Sequence, residues 1–207
     1  MSETDRFLLG FVCMMICVIL PLIVFMKREA RSRSYTALSI ITLYAVWYLT
    51  MTTIHESSHY LGSLLSGVQI TEVRLIPHFW KGEFVAYVNT PPMSWGQAAI
   101  SVPAPYVLDL LSLLIGALLL RAMNKKEGFI PALLLTLFCL RPLFDIISNL
   151  AGYVVWNQGD LKYLADLFGG ATIYGLGLLF SAIAIGVVWY LVMIQGRRKH
   201  QELAQNG

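Results

Sequence analysis

What this chain can fold into is limited first by its apolar runs. Residues 7–26 contain no charged side chain, and mainly apolar runs recur over 37–65, 106–120, 129–155 and 167–194. About 20 residues of helix cross the hydrocarbon of a bilayer. The expectation is an all-α polytopic membrane protein with about five transmembrane helices, forming a single membrane-embedded domain over 1–207. Composition agrees: 57% of the residues are hydrophobic and only 13% charged, against about 25% charged in soluble domains. Cys13, Cys17 and Cys139 all fall inside apolar runs, which suits small buried hydrophobes and not a disulfide framework.

The net charge of +3 gathers in short connections. The segments 27–34 (KREARSRS), 121–128 (RAMNKKEG) and 197–199 (RRK) follow the first, third and fifth runs. Basic loops stay in the cytosol, so the N-terminus is expected outside and the C-terminus in the cytosol. The lipid bilayer is the implied partner of such a pattern, and nucleic acid is not. The first run is expected to be retained, with Pro21 bending it.

One stretch breaks the apolar monotony with chemistry. His55-Glu56-Ser57-Ser58-His59, or HESSH, lies in the far half of the second run. On a helix, residues four apart share a face, so both imidazoles can reach one zinc ion (Zn2+) while Glu56 serves as general base for an activated water. Polar groups in hydrocarbon are costly and need partners or a cavity. A catalytic zinc generally has three protein ligands, and the third is expected from a carboxylate at similar depth. Asp145 lies about 24 Å along the fourth run and His55 about 27 Å along the second, which makes Asp145 the first candidate. Asn149 follows it on the same face and is expected to touch substrate or a ligand. Pairing of Asp145 with Arg141 is the structural alternative. Asp109, early in the third run, is an alternative ligand, a partner of a histidine, or an interfacial residue; His78 is a further outside candidate.

Residues 68–75 and 83–88 alternate in polarity around a Pro- and Gly-containing turn, the pattern of a β-hairpin. It is expected over 68–90, between helices 2 and 3. An open strand edge cannot face hydrocarbon, but it can pair with an extended peptide. Val73 on this hairpin, with Gly62 and Gly67 allowing close approach, is therefore a candidate substrate contact. Residues 93–105, with Gly96, Pro103 and Pro105, are expected as a surface or re-entrant connection, and 157–166 as an outer loop.

The run HESSH with Gly62, the stretch 67–75 with Gly82 to Val88, and Pro142-Leu143-Phe144-Asp145 together resemble the site-two protease family of intramembrane zinc metalloproteases. The resemblance implies an HExxH helix, a hairpin lining the substrate groove, and Asp145 as third zinc ligand. It implies an endopeptidase acting on membrane protein or peptide substrates. Two other classes remain open on the residues alone: a membrane zinc hydrolase of a non-peptide or non-transmembrane substrate, and a non-catalytic metal transporter or scaffold. Few ionisable residues within the runs and no visible repeat count against transport.

Overall fold

In a computed structural model of the protein, residues 3–26, 33–78, 86–123 and 128–205 are described. Most of the first basic segment (27–32), part of the second (124–127) and the hairpin turn (79–85) lie outside them. The helices are α1 (Glu3–Met14), α2 (Leu20–Met26), α3 (Arg33–Leu65), α4 (Trp95–Ser101), α5 (Ala104–Ala122), α6 (Phe129–Leu135), α7 (Arg141–Trp156), α8 (Asp160–Phe168) and α9 (Gly170–Gln205). Strands β1 (Glu72–Arg74) and β2 (Tyr87–Asn89) pair antiparallel, with Val73 opposite Val88. Among the described residues, five helical segments are long and apolar enough to cross a membrane: Leu8–Met26, Ser34–Leu65, Trp95–Ala122, Phe129–Trp156 and Gly170–Met193. The hairpin falls between the second and third, so the expected fold class holds. Leucines such as Leu38, Leu65 and Leu118 are exposed along these helices, as a surface facing acyl chains requires.

The chain divides into two compact units, one of residues 1–47, 112–144 and 181–207 and one of 48–111 and 145–180. The core of the first is built on Leu22, Met26, Leu43, Leu120, Leu135 and Leu140. Helix α5 approaches Cys139 closely at Gly116, where an added Cβ would stand 2.6 Å from Phe138 Cβ. Arg141 is buried there, with one guanidinium nitrogen 3.3 Å from Ser112 Oγ and Nε donating to the Leu137 carbonyl. Cys13, Cys17 and Cys139 are buried and free.

Among the described residues, π-helical stretches at Met15–Ile19 and Thr136–Leu140 interrupt the first and fourth spans. Each ends shortly before a proline, Pro21 and Pro142. Proline has no N–H to give the carbonyl four residues back and clashes with it; a wider turn relieves both problems.

The second unit contains the hairpin and HESSH. Helix α3 stops at a Schellman cap: the Val68 N–H donates to the Ser63 carbonyl at 2.8 Å and the Gly67 N–H to Leu64 at 3.2 Å. Gly67 holds the left-handed conformation this requires, φ +69°. The chain turns away into β1, and the Gln97 amide of α4 donates back to the Gly67 carbonyl at 3.4 Å. Across the hairpin, Tyr87 hydroxyl and Asn89 amide hold Glu72, and the Arg74 guanidinium lies 4.9 Å over the Tyr87 ring.

Two expectations need correction here. Residues 95–101, expected as a connection, are helical, and the apolar helical stretch long enough to form the third span covers Trp95–Ala122. The Ser94–Gln97 capping box starts α4, and Pro105 sits in the first turn of α5, where a proline costs nothing. Residues 160–168 form α8 and not a loop. Leu161, Leu164 and Ala165 are its buried face, while Lys162 and Asp166 pair on the outside. Of the many small residues in α9, Gly177 makes a close approach, with a Cβ position 2.9 Å from Leu150 Cδ1; Gly175 and Gly186 meet open space.

Gly67→Ala is expected to lower stability in detergent by about 1 kcal/mol, the cost of a Cβ in the left-handed region. Gly67→Asn is expected to lose less. Thermal unfolding of the two variants beside the parent checks the order.

Candidate metal centre

His55 and His59 sit one turn apart near the end of α3, their rings 4.9 Å apart between centroids. Both are largely buried, at 11% and 15% side-chain exposure. What each ring nitrogen faces decides what the pair can bind.

The Nδ1 of His59 faces the backbone carbonyl of Ser101 at 3.1 Å. A carbonyl only accepts, so His59 Nδ1 carries the proton and Nε2 the lone pair. That carbonyl is free for a reason readable in the chain. Ser101 ends α4, and its helical partner would be the N–H four residues on, but that residue is Pro105. Gly62 brings α3 close enough: a Cβ there would stand 2.9 Å from both Ser101 Cα and Ala104 Cβ. Ser63 and Ser101 hydroxyls, 2.8 Å apart, fasten the same contact.

The Nδ1 of His55 faces Asp145 Oδ2 at 2.7 Å. Asp145 is fully buried, and its Oδ1 accepts from the Asn149 amide at 2.9 Å. A carboxylate held on an imidazole Nδ1–H fixes the ring and raises the basicity of Nε2. The two histidines thus present the same tautomer, each with its Nε2 lone pair turned inward.

Both lone pairs point at one atom. Asp160 Oδ2 lies 3.1 Å from His55 Nε2 and 3.0 Å from His59 Nε2. Asp160 is the first residue of α8, after Gly159 at φ +87°. Three acceptors therefore converge without a proton of their own to share. Extra protons on the rings or a cation among them resolve that repulsion. The dimensions suit a cation: tetrahedral zinc with bonds of about 2.0–2.1 Å places its ligand atoms about 3.3 Å apart. Among the described residues, His55, His59 and Asp160 form the group that can hold a metal ion.

The site residues expected from the sequence are thus distributed as follows. His55 and His59 meet in the centre. The expected third ligand, Asp145, is placed on the outer nitrogen of His55, and the carboxylate in the centre is Asp160. Asn149 touches Asp145. Asp109 is buried on α5, one turn beyond Tyr106. Gly67 caps α3, and Val73 is exposed on β1. His78 lines a separate surface hollow with Glu72 and Arg74.

Glu56 lines a cleft of about 400 Å³ beside the centre, together with His59, Asp160, Tyr87, Val88 and Tyr163. Val88 on β2 lines the same cleft. One wall of the cleft is therefore the HESSH helix and another is the hairpin. Sequence reasoning missed Asp160, Ser101 and Val88. The first had a signal: apolar residues at 161, 164, 165 and 168 after Gly159-Asp160 mark a helix start. The chain matches no protein-family model, no curated protein and no solved structure.

Titration with Zn2+ separates the two carboxylates. Asp160→Ala is expected to abolish tight binding, because it removes a converging atom. Asp145→Asn and Gly62→Ala are each expected to weaken it about 10–100-fold, the usual effect of releasing one imidazole. Asp145→Asn abolishing binding while Asp160→Ala retains it would reverse the assignment.

Proposed function

We propose that the protein is a membrane-embedded zinc endopeptidase, akin to the site-two protease family, in which His55, His59 and Asp160 hold Zn2+. The observation that carries this reading is the convergence of His55 Nε2, His59 Nε2 and Asp160 Oδ2 next to the cleft lined by Glu56. Zinc held there would supply Lewis acidity, making water a nucleophile near neutral pH and polarising a carbonyl.

The chain's own residues do the rest. Asp145, held by Asn149, and the Ser101 carbonyl fix the rings, so that both Nε2 atoms stay lone-pair donors. Glu56 is placed in the cleft to take a proton from the attacking water and hand it to the leaving amine. A purely structural site needs no such carboxylate on its open side.

A peptide must be extended to be cut, since a helical amide is already hydrogen-bonded and shielded. Tyr87 and Val88 of β2 wall the cleft, which supports entry of an extended backbone alongside the hairpin. Val73 is exposed on the paired strand and Gly67 sets where the hairpin leaves α3. The substrate class this favours is a membrane protein or peptide with an unwound segment. The basic segments support the orientation with the N-terminus outside and the centre toward the extracytoplasmic face.

Activity is tested on a membrane-tethered reporter peptide in liposomes. Glu56→Gln is expected to keep its zinc and lose turnover by at least about 100-fold, the scale of lost general-base catalysis. Chelation is expected to remove activity and added Zn2+ to restore it. Full turnover by Glu56→Gln would contradict the assignment of the base.

A further inference from the structure

Within the second unit lies an apolar cavity of about 360 Å³ that the proposed mechanism leaves unused. Its floor is buried: Ile146 on α7, Leu161 and Leu164 on α8, and Ile173 on α9. Its mouth is not. Val107 on α5 and Leu176 on α9 line the cavity and are 56% and 42% exposed. The cavity therefore opens sideways, between two membrane spans. It shares no lining residue with the cleft beside Glu56.

Shape and depth narrow the occupant. On α9 the lining runs from Thr172 to Phe180, about 12 Å at 1.5 Å per residue. Spread over that length, the volume leaves a cross-section of about 30 Å², far less than a helix about 10 Å wide requires. One extended hydrocarbon chain fits, and a helix does not. The outer end is marked by Phe168, whose ring packs on Trp95 at 5.3 Å between centroids. Trp95 is exposed and opens the third span, the place of an aromatic anchor at headgroup level. From there the cavity runs inward along the spans, as an acyl chain does. Beside the mouth, Leu111 on α5 and Leu178 on α9 are exposed, so the opening is continuous with the surface that faces acyl chains. An apolar cavity stays free of water, and an empty one forfeits the dispersion contacts of its lining. The bilayer supplies an apolar filler at the mouth itself.

We propose that this cavity binds one acyl chain of a membrane phospholipid, which enters between α5 and α9 in the leaflet on the hairpin side. The Tyr106 ring relates the chain to the metal centre: it lines the cavity and stands edge-on to His55, 6.4 Å between centroids. A bound chain fills the wall behind that histidine. The inference stands on the cavity and its mouth, and does not need the hydrolase reading.

The test places the full-length protein in phosphatidylcholine vesicles that contain a phosphatidylcholine with a diazirine in one acyl chain. Irradiation attaches the chain to the side chains it touches, and mass spectrometry of the digest locates the adducts. The expected result is adducts on buried Leu161 or Leu164, beside those on exposed Leu178 and Leu179. Val107→Trp and Leu176→Trp, each placing a larger side chain at the mouth, are expected to lose the α8 adducts. Both should keep the adducts on Leu178 and Leu179, which shows that the spans remain seated in the bilayer. Adducts confined to exposed leucines in the wild type would overturn the inference, and so would α8 adducts that persist in both mouth variants. A second arm uses unmodified lipid and an apolar peptide that carries photoleucine. Labelling of Leu161 or Leu164 by the peptide, with none by the lipid, would also overturn it and make the cavity a site for a peptide side chain.

Discussion

Two imidazole lone pairs and a carboxylate oxygen cannot face one another at about 3 Å in a poorly solvated interior unless positive charge lies among them. The arrangement around His55, His59 and Asp160 follows from that constraint. Each histidine is locked from behind by an acceptor, Asp145 or the Ser101 carbonyl, so neither can turn its proton inward to relieve the repulsion. The candidate centre is thus oriented by groups on the far side of its two imidazoles.

The backbone irregularities serve the same end. Pro105 leaves the Ser101 carbonyl without a helical donor, and Gly62 lets α3 close on it. Gly67 ends α3 in a left-handed turn, which sends the chain into β1. Gly159, at φ +87°, precedes Asp160, so that an acidic residue heads α8, where the helix N-terminus favours its charge. Non-helical backbone is tolerated in a membrane protein where it is buried or lines a cavity, and these breaks gather around HESSH and the cleft.

Much of this was legible in the chain. The apolar runs gave the span count, and the alternation around 68–90 gave the hairpin, though its paired strands are only three residues each. HESSH located two of the converging atoms because its spacing is a property of one helix. The third was not local. Counting residues matched Asp145 in depth to His55, and the two do meet, but depth says nothing about which ring nitrogen is met. Asp160 was hidden because its segment read as a charged outer loop. The amphipathic pattern of α8 was present, but Asp160, Lys162 and Asp166 drew attention as net charge. Likewise Pro103 and Pro105 suggested a connection over 93–105, whereas two helices, α4 and α5, meet there across a two-residue turn.

X-ray absorption at the zinc edge of the purified, zinc-loaded protein tests the central claim most directly, because it reads the ligand atoms themselves. The expected spectrum shows only nitrogen and oxygen scatterers at about 2.0–2.2 Å, with outer-shell features of two imidazoles that shrink to one in His59→Ala. A spectrum without two imidazoles, or one with sulfur in the first shell, would contradict the centre described.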